Sequence, residues 1–108
     1  MGLTYKVLGQ INPLATTLSD LYNVPINTST VCSTLSICNV GVNTTFRVAI
    51  RPAGTSITNS LYLTYDNSIS ANDSIFLTLG ITLAATDVVS VYGGTGDLSF
   101  SLFGSEIQ

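Results

Sequence analysis

The sequence predicts an all-β fold, a small β-sandwich of seven to eight antiparallel strands with jelly-roll or immunoglobulin-like connections. Three observations lead to it. Strand-like runs recur about every ten residues, clusters of Gly, Pro, Asn or Asp separate them, and no window sustains the 3.6-residue period of an amphipathic helix. We expect residues 1–108 to form one domain, because this length is near the commonest size for a single hydrophobic core.

Alternating apolar residues and turn-forming residues define the individual strands. The predicted strands are 4–9, 17–23, 30–40, 45–51, 60–65, 74–83, 88–93 and 98–103. Between them lie breakers such as GVN at 41–43, RPAGT at 51–55 and DNSISAND at 66–73. The segment LATTLSDLY at 14–22 is the one place where a helical turn is an alternative to a strand.

One face of five predicted strands is apolar and should form the core. Its residues are Phe46, Val48 and Ile50; Leu61, Leu63 and Tyr65; Ile75, Leu77, Leu79, Ile81 and Leu83; Val89 and Val91; and Leu98, Phe100 and Leu102. Two such faces would pack about 10 Å apart as facing sheets.

Very few residues carry charge. Only 8% of the chain is charged, against about 25% in a typical soluble protein. The cations are Lys6, Arg47 and Arg51, and the net charge is −3, which argues against a nucleic-acid partner because phosphate binding needs several Lys or Arg. A surface this poor in charge repels its neighbours weakly, so we expect self-association or incorporation into an assembly. We expect no membrane partner, because no run reaches about 18 apolar residues.

The two cysteines lie in the predicted strand 30–40, within the stretch STVCSTLSICNV. Cys32 and Cys38 are six residues apart, or roughly 20 Å along an extended strand, whereas a disulfide needs Cα atoms within about 7 Å. The chain has no histidine to complete a zinc site. Alternation sets Cys32 and Cys38 on one side of the strand and Leu35 on the other. We therefore expect free thiols that behave as small hydrophobic side chains, with intermolecular pairing as the alternative.

No motif indicates catalysis or a cofactor. The glycine-rich GGTGD at 93–97 lacks the Lys and the helix of a phosphate-binding loop, and the acidic loop at 66–73 lacks the ligand spacing of an EF-hand. Without histidine there is no Ser-His-Asp set. The sequence thus predicts no enzyme activity, no catalytic residues, no metal site and no cofactor.

Four aromatic residues lie out of phase with the predicted core face of their own strand. They are Tyr62, Phe76, Tyr92 and Phe103. Strand alternation directs them to the opposite face, where exposed aromatic side chains are typical of protein interfaces. We take these four as interface candidates, with burial at corners or under loops as the alternative.

From Tyr5 to Ile107 the chain resembles small virion proteins of tailed bacteriophages, notably those of cyanobacteria and other aquatic bacteria. The resemblance lies in YKVLGQINP at 5–13, DLYNVP at 20–25, FRVAIRPAG at 46–54, YDNSISANDSIFLTLGITLAATDVVSVYG at 65–93 and LSFSLFGSEI at 98–107. It implies a virion structural role, since such proteins include capsid decoration proteins and tail-associated components. It implies no catalytic or ligand-binding residue.

From the resemblance we expect a capsid decoration, or cement, protein. It would bind the major capsid protein on the outer surface of the phage head after synthesis in the host cytoplasm, and would self-associate as a homotrimer. One route is pairing of the first strand with a capsid sheet. The alternative is a tail, baseplate or fibre module that binds host glycan or another tail protein.

The cysteines lead to a first prediction. Replacing Cys32 and Cys38 together with Ala should leave assembly intact and lower stability only mildly, because neither thiol is expected to be cross-linked. Denaturation and sedimentation of the double variant measure both effects. An obligatory cross-linked dimer of the unmodified protein on a non-reducing gel would contradict the free-thiol interpretation.

Overall fold

Eight strands account for most of residues 2–108, the part of the chain that the computed structural model describes. They are β1 (Leu3–Ile11), β2 (Ser19–Asn23), β3 (Ser29–Asn39), β4 (Thr44–Arg51), β5 (Tyr62–Ile69), β6 (Ser74–Leu83), β7 (Val88–Gly93) and β8 (Leu98–Ile107). Two short 3₁₀ turns, Pro52–Gly54 and Asn59–Leu61, lie between β4 and β5. The helical alternative for 14–22 is wrong, since this segment has a turn at 15–16 and then β2 from Ser19, with no helix.

The strands form two four-stranded antiparallel sheets. Sheet A has the order β1-β8-β3-β6, and sheet B has the order β2-β7-β4-β5. The first strand pairs with the last, the second with the seventh, the third with the sixth and the fourth with the fifth. This nested pairing is the jelly-roll arrangement. The predicted β-sandwich is therefore confirmed, and of its two forms the jelly roll is the one present.

The buried side chains come from the inner faces of both sheets. Phe46 and Val48 of β4, Val91 of β7, and Phe100 and Leu102 of β8 are at most 1% exposed, so the predicted core faces of these strands are confirmed. The predicted face of β6 is only partly buried except at Leu83, because β6 is an edge strand of sheet A.

The predicted core face of β5 is wrong. Leu63 is 48% exposed and Tyr65 is 54% exposed. The cause is irregular pairing: the β4–β5 register shifts on both sides of Val48, and Thr64 lies opposite Val48. Asp66, in the same strand, has a left-handed φ of 51°. β5 also continues to Ile69, through residues that were expected to form a loop.

A bulge in β3 changes which side chains enter the core. The register of β3 with both β6 and β8 shifts between Cys32 and Thr34. As a result Cys32 and Leu35 are both fully buried, although strict alternation sets them on opposite faces. Gly104 lies opposite Cys32, and a Cβ at Gly104 would clash with the carbonyl oxygen of Val31.

The two cysteines are free in the structure, Cys32 buried and Cys38 half-buried. Burial raises the pKa of the Cys32 thiol to about 11, so it stays protonated at neutral pH and packs as a small apolar group.

A buried polar cluster joins the two sheets. The Tyr22 hydroxyl, from β2 of sheet B, donates to Glu106 Oε2 of β8 at 2.5 Å and lies 2.8 Å from the hydroxyl of Thr30 in β3. Lys6 of β1 forms an ion pair with the other carboxylate oxygen of Glu106 at 3.3 Å. The Tyr22 hydrogen bond and, more weakly, Lys6 lower the pKa of Glu106 despite its desolvation.

The lowered pKa gives a pH-dependent prediction for Tyr22→Phe. A carboxylate with a lowered folded-state pKa stabilises the fold above its unfolded pKa, and this contribution is lost as pH falls through the folded value. Removing the hydroxyl leaves a buried carboxylate short of a donor, so Tyr22→Phe should reduce the free energy of unfolding by about 1–3 kcal/mol at neutral pH. The reduction should be smaller at about pH 2, because a larger fraction of the carboxyl is protonated there and the charged form needs the donor more than the neutral form does.

Urea denaturation at both pH values measures this difference, with Tyr5→Phe as the control because Tyr5 is 79% exposed. The same loss of stability at both pH values would contradict a role for the ionised Glu106.

Candidate functional site

The solvent side of sheet A carries no charged residue. Its apolar members, here called the apolar face, are Leu3, Tyr5 and Val7 of β1, Val31 of β3, Phe76 of β6, and Phe103 and Ile107 of β8. Their neighbours on this side are small or uncharged, such as Ser36, Thr78 and Ser101. Tyr5 is 79% exposed and Phe76 is 68% exposed, so large apolar groups face water here without covering side chains.

Cross-strand pairing makes the apolar face continuous along one side. On the solvent side, Leu3 of β1 pairs with Ile107 of β8, and Val7 pairs with Phe103. Tyr5 occupies the row between them. Phe76 lies on the other edge strand, across Ser36 and Ser101 from β1. Exposed apolar area of this kind, with no charge inside it, is typical of a surface that contacts another protein.

The solvent side of sheet B is different, because its charges pair with one another. The Arg47 guanidinium lies 4.1 Å from the ring centroids of both Tyr65 and Tyr92, and its Nε donates to Asp66 Oδ1 at 2.6 Å. We call these four residues the arginine–tyrosine stack. The hydrogen bond to Asp66 raises the pKa of Arg47 further, so its charge is permanent and is balanced within the stack.

A second ion pair lies beside this stack. Arg51 donates to Asp20 Oδ1 at 2.9 Å and to the hydroxyl of Ser90 at 3.1 Å, and also to the carbonyl oxygens of Gly54 and Thr55. Arg51 therefore fixes the 3₁₀ turn after β4 against sheet B, with four of its five N–H donors used in these bonds.

A shallow pocket of about 410 Å³ lies next to the arginine–tyrosine stack. Asn59, Tyr62, Leu63, Thr64 and Tyr65 line it. The rings of Tyr62 and Tyr65 meet edge to face, with centroids 4.9 Å apart and planes at 84°, an arrangement that the aromatic quadrupole favours. The pocket lining contains no charged residue.

The four interface candidates divide into two pairs. Phe76 and Phe103 belong to the apolar face, whereas Tyr62 and Tyr92 lie on the solvent side of sheet B. The two pairs lie on opposite sides of the sandwich and do not form one surface. Tyr92 is half-buried, with the Arg47 guanidinium over its ring.

Sequence reasoning missed two features. The first is the apolar side of the first strand. Leu3, Tyr5 and Val7 alternate in the sequence, but no core face was predicted for this strand, so they could not be recognised as the exposed side. The exposure of Tyr65 had no local signal, since it depends on the irregular pairing of β5.

Residues 2–108 contain no group of three or more metal-ligating side chains close enough to hold an ion. Within the same range no helix is long and apolar enough to cross a membrane.

The arginine–tyrosine stack leads to a stability prediction. Arg47→Ala removes two cation–π contacts of about 0.5–1 kcal/mol each at exposed sites and an exposed ion pair of about 0–1 kcal/mol. The free energy of unfolding should fall by about 1–3 kcal/mol, and Arg47→Lys should lose less because it keeps the charge. Urea denaturation measures both variants. An Arg47→Ala protein as stable as the unmodified one would show that the stack does not stabilise the fold.

Comparisons with known proteins show a likeness of fold alone. No protein-family model matches the sequence, and no curated protein matches it. Among solved structures, the chain is similar to one described as "Structure of infectious bursal disease virus Gx strain", with 15% identity and a TM-score of 0.49. The match covers 97% of this chain and 32% of that one, so the protein spans about a third of the length of the viral chain.

Proposed function

We propose that this protein is a virion structural protein, and specifically a capsid decoration protein of a tailed bacteriophage. It binds the major capsid protein on the outer surface of the assembled head and bridges neighbouring subunits. The observation that carries the proposal is the apolar face, a charge-free sheet surface that bears large exposed side chains such as Tyr5 and Phe76. The sequence resemblance to phage virion proteins supplies the class of partner.

The mechanism requires contact area and no chemistry. A stable interface buries about 800 Å² on each partner, roughly one seventh of the 5551 Å² of solvent-accessible surface. One sheet face of a sandwich can provide this area. Bound across a boundary between capsid subunits, the protein adds contacts that must be broken before the subunits can separate.

The edge of sheet A offers backbone hydrogen bonds in addition. β1 pairs with β8 on one side, and no described strand pairs with its other side. Lys6 is the only charged residue in β1, so the usual protection of an edge strand by charge is slight. A strand of the capsid protein, or of a second copy of this chain, can add to β1 and extend the sheet.

The jelly roll itself is weak support for any function. Jelly rolls occur in viral capsid proteins and in lectins, and one fold hosts many unrelated activities. A tail or baseplate location remains the second candidate, favoured by the polar and aromatic pocket on sheet B. Copy number separates the two locations, because hundreds of copies belong to a head and about a dozen or fewer to a tail.

Binding to purified phage shells tests the proposal. Phe76→Ala and Tyr5→Ala should each weaken binding by roughly thirtyfold, because truncating a large aromatic anchor of an interface commonly costs about 2 kcal/mol or more. The control is Leu14→Ala, which removes a side chain that is 76% exposed but lies outside the strands. Co-sedimentation with shells measures occupancy. Full occupancy by both aromatic variants would contradict docking through the apolar face.

The salt dependence of the same assay gives a separate prediction. Raising the salt concentration from about 0.05 M to about 1 M reduces the screening length to about 3 Å, which weakens ion pairs but leaves apolar contacts. Shell binding should therefore change little. Release of the protein at high salt would indicate an electrostatic interface and would overturn the proposed mechanism.

Self-association as a homotrimer is also part of the proposal, supported by the open edge of β1 and the low charge of the chain. Sedimentation at micromolar concentration should give a species of three chains, whereas a species of 11.3 kDa, the mass of one chain, would contradict it.

A further inference from the structure

We propose that the pocket on sheet B binds a sugar unit of a neutral oligosaccharide. This binding site is separate from the apolar face and does not depend on the decoration role. The pocket volume of about 410 Å³ falls in the lower part of the range for small-molecule sites, roughly 300–1,000 Å³, so it suits one or two sugar rings.

The chemistry of the lining matches a pyranose ring. Such a ring presents C–H groups on its faces and hydroxyl groups around its rim. The C–H groups pack on the rings of Tyr62 and Tyr65 and on Leu63, which is 48% exposed. The hydroxyls of these tyrosines and the side-chain amide of Asn59, another lining residue, would supply donors and acceptors for the rim.

The aromatic side chains are held in place before any ligand arrives. Tyr65 has the Arg47 guanidinium 4.1 Å from its ring centroid and the Tyr62 ring at 4.9 Å. It is nevertheless 54% exposed. A fixed and exposed ring loses little conformational entropy on binding, which matters for a ligand that makes few contacts.

The charges near the pocket bear on whether the sugar is neutral or acidic. The pocket lining is uncharged, and the nearest ions, Arg47 and Asp66, are paired at 2.6 Å and balance each other. A carboxylate or sulfate group would have to compete with Asp66 for Arg47 and would be repelled by the Asp66 carboxylate. The charges beside the pocket therefore give a negatively charged glycan no clear advantage over a neutral one.

The dimensions favour a sugar over a proline-rich peptide, which also binds to tyrosine-lined surfaces. Residues 62–65, which form most of the lining, extend about 10 Å at the rise of a β-strand. A six-residue polyproline helix extends about 19 Å and would overhang the pocket. One or two sugar rings fit within it.

The two solvent sides of the sandwich are opposed, so the pocket stays open when the apolar face is covered. A protein attached to a larger particle through sheet A would present the pocket outward. Sugar binding and shell binding can therefore be measured independently.

The test is a titration of ¹⁵N-labelled protein with maltotriose, cellotriose and chitotriose, followed by amide chemical shifts. At least one of the three should shift the resonances of Tyr62, Leu63 and Tyr65, with a dissociation constant on the order of 1 mM. Tyr65→Ala should weaken this binding at least tenfold, and Asn59→Ala should also weaken it. Phe76→Ala is the matched control, since it removes an exposed aromatic ring from the other side of the molecule, and it should bind as the unmodified protein does.

The proposal is overturned if none of the three sugars shifts the pocket resonances, or if a hexaproline peptide shifts them and the sugars do not. It is also overturned if Tyr65→Ala, with unchanged spectral dispersion, binds as tightly as the unmodified protein. Shell occupancy of Tyr65→Ala should be normal, which separates this outcome from a failure of the decoration proposal.

Discussion

The bulge in β3 is the constraint on which the rest of sheet A depends. β3 pairs with β8 on one side and β6 on the other, and both registers shift between Cys32 and Thr34. This one irregularity lets Cys32 and Leu35 share the core. Without it, one half of the strand would turn its buried side chains to solvent. The absence of a side chain at Gly104 allows the close approach of β8 that the bulge requires.

The buried face of a strand could be predicted from the sequence where the strand is regular. β4, β7 and β8 contain no extra bulge residue, so the alternating core residues predicted for them are buried, although Ala49 and Val88 on the other side of their strands are buried as well. β3 and β5 contain irregular pairings, and there alternation put Cys32 and Leu35 on opposite sides and put Tyr65 in the core. The nested strand order could not be derived locally, because it joins residues as distant as Leu3 and Ile107. The same limit applies to the two solvent sides. Phe76 was identified as an interface candidate from its own strand alone, whereas the arginine–tyrosine stack forms only when three strands, β4, β5 and β7, pair in register.

The uneven distribution of charge gives the two sides of the sandwich different properties. Asp20, Arg47, Arg51 and Asp66 form ion pairs on the solvent side of sheet B, while the solvent side of sheet A has no charge. Paired charges keep one side hydrated and discourage stacking of copies through it. The other side has no such protection. The two solvent sides thus differ in polarity, and apolar contact with another protein is favoured through sheet A.

The backbone amides and carbonyls of Gly2 and Gln108 bond to each other, at 3.2 and 2.9 Å. The two ends of the described chain therefore leave the sandwich side by side, at one end of the β1–β8 pair. A short peptide can join them, and new ends can be opened at an exposed turn such as 25–27, because circular permutation succeeds where termini are close and loops are exposed. The same proximity lets the sandwich be carried within a surface loop of a host protein, where both junctions meet the carrier at one point.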